Sequence, residues 1–282
     1  MGETVGFAVS LIALAGAALA GARYLRHVYA QTLGSRRALE EKLHQIGPGV
    51  TTRHVEALLG PAVYSRRARM EHDPPGILDA SFESIYLTRH AYVQIVHDEY
   101  GEVLAFGITT VDPDFHPTVP QLPPIATQRS DVRVGRTRFG ELDRDITPMR
   151  IWLHMGPYRA HYNEAHSFGR SGRYLTFGLA CNEAGIGSWG SPGGELSNLN
   201  FCDAAALNGL PDSQKEALQR FRDGTTINTI CVYSDRITHN AVLNGNEWRF
   251  GLDSEATPDL LRYQRGPMRR LRDRLQGKRP AG

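Results

Sequence analysis

Residues 185–190, with the sequence GIGSWG, have the spacing of a glycine-rich dinucleotide-binding loop. In such a loop the glycines let the backbone approach a pyrophosphate that binds at the N-terminus of the following helix. Here the next four residues are SPGG, which do not start a helix, and no acidic residue closes a second strand. We therefore interpret 185–194 as a loop that shapes a binding surface rather than as a nucleotide site.

His161 and His166 flank Glu164 and have the residue types of a zinc-binding helix. In the H-E-x-x-H pattern the two histidines lie one turn apart, on one face of the helix, whereas these two are five residues apart. If the segment is a strand, the two histidines face opposite sides of it. The sequence therefore indicates no metal site, and we expect no cofactor.

Local nucleophile motifs are also incomplete. Residues 169–173, GRSGR, lack the final glycine of the G-x-S-x-G turn that exposes a catalytic serine. Cys181 falls in a predicted strand, where a cysteine is more often a core residue than a nucleophile. A catalytic site would have to be assembled from residues that are distant in the sequence.

Two irregular segments carry the side chains that we predict to bind a partner. The first holds Asp112, Phe115 and His116, and the second holds Trp189. Aromatic side chains exposed in loops are typical anchors of binding surfaces. We expect these four residues to contact a protein or a small ligand.

Short strands and capped helices must position these loops. Thr51 or Thr52 can cap a helix that ends at Leu59, before Gly60 and Pro61. A second helix is predicted over 212–223, with Ser213 and Glu216 as a capping box. Runs of β-branched and aromatic residues predict strands at 82–87, 92–97, 103–109, 227–233 and 248–252, with a hairpin turn at 98–101.

The second half of the chain looks like a looser copy of the first. Residues 173–185 align without gaps on 89–101, so that one turn falls on the other, although chance similarity of hairpins is an open alternative. Five prolines in 111–129 indicate a linker. We therefore predict an α+β protein with two antiparallel-sheet units, 47–110 and 130–255, each with helices on one face.

A family resemblance agrees with this layout. The segment 50–61, VTTRHVEALLGP, resembles the opening of the small outer-membrane assembly lipoproteins of the SmpA/OmlA type, and is similar to the β-lactamase inhibitor proteins, which are tandem pairs of such units. An apolar start followed by Tyr92-Val93-Gln94 ahead of Gly101 resembles a functionally uncharacterised family of one-pass bacterial membrane proteins. The resemblance implies binding rather than catalysis. No lipoprotein cysteine follows the apolar run here.

Residues 4–22 contain no charged side chain, so we predict a transmembrane helix over 1–22 and a helical stalk over 23–46. Nineteen helical residues span about 28 Å, close to the thickness of a bilayer core. Arginines follow the run and no basic residue precedes it, which places the C-terminal part in the cytoplasm. The alternative is a cleaved signal peptide, because Ala18-Leu19-Ala20 resembles a cleavage site.

A basic tail, 256–282, holds eight basic and two acidic residues, a net charge of +6. Near a membrane each basic residue gains about 1 kcal/mol from anionic lipid, although a solvated tail is an equal alternative. The lipid-facing residues would be Arg265, Arg269, Arg270, Arg272 and Arg274. Nucleic acid is not expected as a partner, because the rest of the chain is acidic.

These features favour a membrane-anchored cytoplasmic protein, a binding or scaffold protein that recognises a protein or small ligand at the inner leaflet. Two alternatives stay open from the sequence. One is a hydrolase-like enzyme whose site is assembled in space, and the other is an exported binding protein of the cell envelope.

The predicted orientation can be measured with reporters fused after Gly282. Alkaline phosphatase should be inactive there, because its disulfides form only outside the cytoplasm, whereas green fluorescent protein should fluoresce. N-terminal sequencing should find residues 1–22 still attached. An active phosphatase would show that the orientation is wrong.

Overall fold

A computed structural model describes residues 33–67, 81–122, 131–142, 148–155, 160–170, 173–182, 184–191, 193, 196 and 201–234. The chain divides into two compact units, 1–43 and 44–282. Within the described ranges, no helix is both long and apolar enough to cross a membrane. The predicted anchor (1–22), the predicted strand at 248–252 and the basic tail (256–282) lie outside those ranges.

The first unit contains helix α1, Leu33–Leu43, which lies within the predicted stalk. The second unit contains helices α2 to α4, strands β1 to β9 and a short 3₁₀ turn at Phe139–Glu141. In chain order these are α2 (Thr52–Leu59), β1 (Tyr64–Arg67), β2 (Phe82–Leu87), β3 (Ala91–His97), β4 (Val103–Thr110), β5 (Arg150–Met155), β6 (Ala160–Arg170), β7 (Arg173–Asn182), β8 (Phe201–Asp203), α3 (Ala204–Asn208), α4 (Asp212–Gly224) and β9 (Thr229–Tyr233).

The strands form a single antiparallel sheet in the order β1-β2-β3-β4-β9-β7-β6-β5-β8. The expectation of two separate sheet units is therefore wrong. The physical reason is β9, which is hydrogen-bonded to β4 on one side and to β7 on the other and is buried along its whole length. A strand enclosed in this way joins the β1–β4 meander to the β5–β7 meander.

Helix α2 forms as its sequence predicts. The Thr51 side chain accepts a hydrogen bond from the His54 amide, and the Gly60 amide donates to the Glu56 carbonyl at the other end. Helix α4 also lies where it is predicted. It begins after Pro211, however, without a side-chain cap, so the predicted capping box does not form.

Two turns of the sheet are held in the same way, by a side-chain oxygen that accepts two main-chain amides. Asp98 Oδ1 accepts the amides of Tyr100 and Glu102, at 3.0 and 2.9 Å. Asn182 Oδ1 accepts the amides of Ala184 and Gly185, both at 3.0 Å. In each case a side chain at the end of a strand holds the following turn. The two turns are those that the internal alignment superimposes. Asp98 is buried.

The two faces of the sheet differ in what they carry. One face packs against α4, where the Phe221 ring meets Tyr162 edge-on at 5.0 Å. On the same face, burial and the nearby charge of Glu56 in α2 raise the pKa of Tyr86 to about 12. The opposite face carries polar rows, for example the linked hydroxyls of Thr109 and Thr229, 2.8 Å apart. The helix-covered face therefore holds the main apolar packing.

Gly101 and Gly49 provide a matched test of how tightly the β3–β4 turn is held. Both have positive φ, +81° and +88°, but a Cβ on Gly101 would lie 2.8 Å from Thr52 Oγ1, whereas a Cβ on Gly49 would have no neighbour within 4 Å. Gly49→Ala should lower the free energy of unfolding by about 1 kcal/mol, the cost of the left-handed conformation alone. Gly101→Ala should lower it by a further ~1 kcal/mol or more, because Thr52 must move. Urea denaturation measures both, and equal losses would contradict the crowding at Gly101.

Candidate functional site

The two segments predicted to bind a partner lie at the same end of the sheet. Residues 111–122 follow the end of β4, and residues 184–191 follow the end of β7. The Ile186 amide donates to the Thr110 carbonyl at 2.9 Å, and the Thr226 amide donates to the Ser188 carbonyl at 2.9 Å. These main-chain bonds hold the second segment against the end of β4 and the approach to β9.

Asp112 is held by a histidine that sequence reasoning missed. Its Oδ2 lies 2.6 Å from Nδ1 of His90, and the His90 ring lies 5.6 Å from the ring of Phe115. The amides of Val111 and Asp112 both donate to the His90 carbonyl. His90 is in the short β2–β3 turn, 22 residues before Asp112. No local pattern connects the two, so the pairing appears only when the sheet is formed.

The structure places the four predicted binding residues in different environments. Phe115 is only 2% exposed, so the expectation of an exposed aromatic side chain is wrong for it. Trp189 is half-buried, with its ring 6.3 Å from that of Phe221. His116 is half-buried, with Nδ1 3.2 Å from the Val134 carbonyl oxygen. Asp112 and Phe115 are thus brought together at His90, while His116 and Trp189 contact other elements.

Several side chains at this end of the sheet are exposed. Arg89 in the β2–β3 turn, Pro113 and Asp114 after Asp112, and Ser191 at the end of the second segment are exposed to solvent. The buried aromatic and ion-paired groups fix the loop backbones, and the exposed side chains face solvent. The predicted lipid-facing arginines of the tail lie outside the described residues.

A second group of ionisable side chains lies in the interior, under α4. Tyr162, Glu164 and His166 alternate along β6 and so point to the same face, as predicted for a strand that places His161 on the opposite side. Glu164 Oε1 accepts the Tyr162 hydroxyl at 2.5 Å and Arg222 Nε at 2.7 Å. Glu164 Oε2 lies 3.0 Å from His166 Nε2 and 3.2 Å from Arg222 Nη2. Both carboxylate oxygens therefore have hydrogen-bond partners.

The pKa values in this group are those expected for an ion pair, Glu164 with Arg222, that is buried away from solvent. Burial alone would raise the pKa of Glu164, but the Arg222 charge and the hydrogen bonds from His166 and Tyr162 lower it to about 2. Burial and the Glu164 charge raise the pKa of Tyr162 well above its ordinary value. Glu164 and His166 are 0% and 1% exposed. Glu164 is charged, both of its carboxylate oxygens already accept hydrogen bonds, and it is closed to solvent. It therefore attaches α4 to β6 and is not in a position to contact a substrate.

The other residues that could do chemistry also have structural surroundings. Cys181 is buried, and burial raises the pKa of its thiol to about 12, so it is the core residue that the sequence predicts. Residues 184–191, which include the glycines of the GIGSWG segment, form a loop. Among the described residues, no group of three or more His, Cys, Asp or Glu side chains could hold a metal ion.

Comparison with known proteins adds no family. No family model matches the chain, and no curated protein matches it. Among solved structures it is similar to a cysteine-rich secretory protein from Staphylococcus aureus, with 8% sequence identity and a TM-score of 0.33 over 67% of this chain. The match spans 45% of the length of that protein. A likeness this weak carries no argument about fold or function.

The ion pair predicts that removing Arg222 alone destabilises the protein more than removing both charges of the pair. Arg222→Met leaves Glu164 buried without its strongest partner and should lower the free energy of unfolding by about 3–5 kcal/mol. Adding Glu164→Gln to that variant should recover part of the loss, because the unpaired charge is removed. As a control, Glu216→Gln breaks only an exposed 3.9 Å pair with Arg220 and should change stability by less than ~1 kcal/mol. Urea denaturation of the four proteins tests this, and equal effects of the Arg222 and Glu216 changes would contradict it.

Glu164 also predicts a pH dependence. Its pKa is lowered from 4.5 to about 2 in the folded state, so its stabilisation is fully present above pH 4.5 and is lost as the pH falls toward 2. The stability difference between the wild type and Glu164→Gln should therefore be largest near neutral pH and shrink below pH 4.5. A difference that stays constant to pH 3 would exclude a paired carboxylate.

Proposed function

We propose that this chain is a membrane-anchored binding or scaffold protein whose recognition surface is the end of the sheet formed by the β2–β3 turn and residues 111–116 and 184–191. The observation that carries the proposal is the convergence of the two predicted binding segments, joined through the 2.9 Å bond between the Ile186 amide and the Thr110 carbonyl. The two segments, which are separated by residues 117–183 in the sequence, are adjacent in the fold.

Preorganisation of these loops supports binding. His90 pairs with Asp112 and contacts Phe115, while the Ser188 hydroxyl donates to the Gly224 carbonyl at 2.8 Å. Backbones held in this way lose less conformational freedom when a partner binds, which favours affinity. The same contacts leave Arg89, Asp114 and Ser191 exposed as the outward groups of the surface.

The interior ion pair supports binding over catalysis at this position. Glu164 and His166 are the type of pair that a hydrolase could use, but they lie beneath α4 and are closed to solvent. A group that must exchange protons with a substrate needs to be reachable by it. The reachable groups at the loop end carry both signs of charge, from Arg89 and Asp114, which suits a polar protein surface or a small polar ligand.

The location at the membrane is proposed from the sequence. The uncharged residues 4–22 would attach the chain, the arginines behind them would place the sheet in the cytoplasm, and the basic tail would contact anionic lipid. A binding surface held near a membrane meets its partner at a raised local concentration.

Photo-crosslinking tests the surface directly. The full chain would be expressed in cells with a benzophenone amino acid at Asp114 or Ser191, and at Glu216 on the exposed side of α4 as the matched control. We expect one discrete adduct from both loop positions and none from the control. Trp189→Ala should reduce the adduct at least several-fold, because Trp189 supports the second segment against Phe221, whereas Trp189→Phe should preserve it.

Two results would overturn the assignment. The first is an adduct that forms equally well from Glu216, since that would indicate nonspecific proximity at the membrane. The second is the absence of any adduct from both loop positions while the protein is folded and located at the membrane.

A further inference from the structure

Three side chains at the opposite end of the sheet form a hydrogen-bonded row that neither the sequence motifs nor the proposed binding function uses. Ser65 in β1 and Ser84 in β2 are register partners, with their hydroxyl oxygens 3.1 Å apart. Ser84 Oγ lies 3.4 Å from Nε2 of His97, at the end of β3. The row crosses three adjacent strands beside the turn that holds Tyr100.

The backbone carbonyl of Asp98 determines which atoms in this row donate hydrogen bonds and which accept them. Nδ1 of His97 lies 2.9 Å from the Asp98 carbonyl oxygen, which can only accept a hydrogen bond, so Nδ1 carries the proton. In the neutral ring, Nε2 then has a free lone pair and accepts from Ser84. The Ser84 oxygen in turn accepts from the Ser65 hydroxyl. Each proton in the row therefore points toward His97.

Packing holds the imidazole in place and leaves one end of the row accessible. The ring of His97 stacks on that of Phe82, with centroids 5.6 Å apart and planes 18° apart. Ser84 is only 5% exposed, whereas Ser65 is exposed, on β1 at the edge of the described sheet. The base is thus oriented by a third group, and the outer hydroxyl is open to solvent. A base oriented in this way can activate a hydroxyl that is linked to it through a hydrogen-bonded row.

We propose that Ser65 is a nucleophile, activated by His97 through Ser84, that accepts acyl groups from carboxylic esters with good leaving groups. Ser65 Oγ forms a bond to the carbonyl carbon, its proton passes to the Ser84 oxygen, and the Ser84 proton passes to His97 Nε2. The tetrahedral intermediate then breaks its bond to the leaving oxygen, which departs with the electron pair and takes up a proton returned by the row.

Hydrolysis completes the cycle. Water attacks the acyl carbon on Ser65 and gives its proton to the same row, and the bond to Ser65 Oγ breaks as that oxygen regains a proton. The net reaction is ester plus water to carboxylic acid plus alcohol, with no oxidant or reductant. A chain with such a site combines binding at one end of the sheet with acyl transfer at the other.

Acetylation by p-nitrophenyl acetate tests the proposal on the purified full chain. We expect a burst of one p-nitrophenolate per chain, with the acetyl group found on Ser65 by peptide mass spectrometry. Ser65→Ala should abolish the burst. His97→Asn retains a nitrogen that can donate to the Asp98 carbonyl but has no Nε2, and should slow acetylation about 100-fold.

A conservative variant within the row and a variant far from it distinguish the loss of the row itself from a general loss of folding. Ser84→Ala should slow acetylation, whereas Ser84→Thr keeps the hydroxyl and should restore it. Ser213→Ala, at an exposed serine of α4, should leave the burst unchanged. Acetylation of Ser65 no faster than that of Ser213, or an unchanged rate in a folded His97→Asn variant, would overturn the proposal. Neither result depends on the crosslinking at the loop end, so the two proposals fail separately.

Discussion

The enclosure of β9 between β4 and β7 is the constraint on which the rest of this structure depends. Five residues of β9 pair with each neighbour, and all of them are buried. Without this strand the β1–β4 and β5–β7 meanders would each end in an open edge, which is a site for unwanted pairing. Closing both edges with one strand makes a continuous sheet, and brings the loops after β4 and β7 to one end of it.

Helix α4 precedes β9 in the chain, so its attachment to the sheet positions that strand. The attachment combines apolar contact, through Phe221 and Tyr162, with the ion pair between Arg222 and Glu164. Breaking a buried ion pair leaves a charge without a partner, so this pair favours the arrangement in which Arg222 meets Glu164. The interior pair thus has a structural role in the described part of the sheet.

Local signals predicted the local elements. The Thr51 cap and the Gly60 stop predicted α2, and the runs of β-branched and aromatic residues predicted β2, β3, β4 and β9 but not β1, β5, β6 or β8. The Asp98 and Asn182 turns lie where the internal alignment places them. Strand partners could not be predicted in the same way, because the residues of β4 pair with residues of β9 that are 120 to 128 positions away in the sequence. For the same reason Asp112 was predicted as a binding residue without His90, and the row from Ser65 to His97, which spans three strands, was not foreseen.

Native-state hydrogen exchange tests the single sheet most directly. If β9 joins the two meanders, the central amides of β3, β4, β7 and β9 should exchange through one global opening, with the same free energy in each strand and the same dependence on denaturant. Two distinct free energies, one for β3 and β4 and another for β7 and β9, would show that the halves unfold independently and would contradict this account.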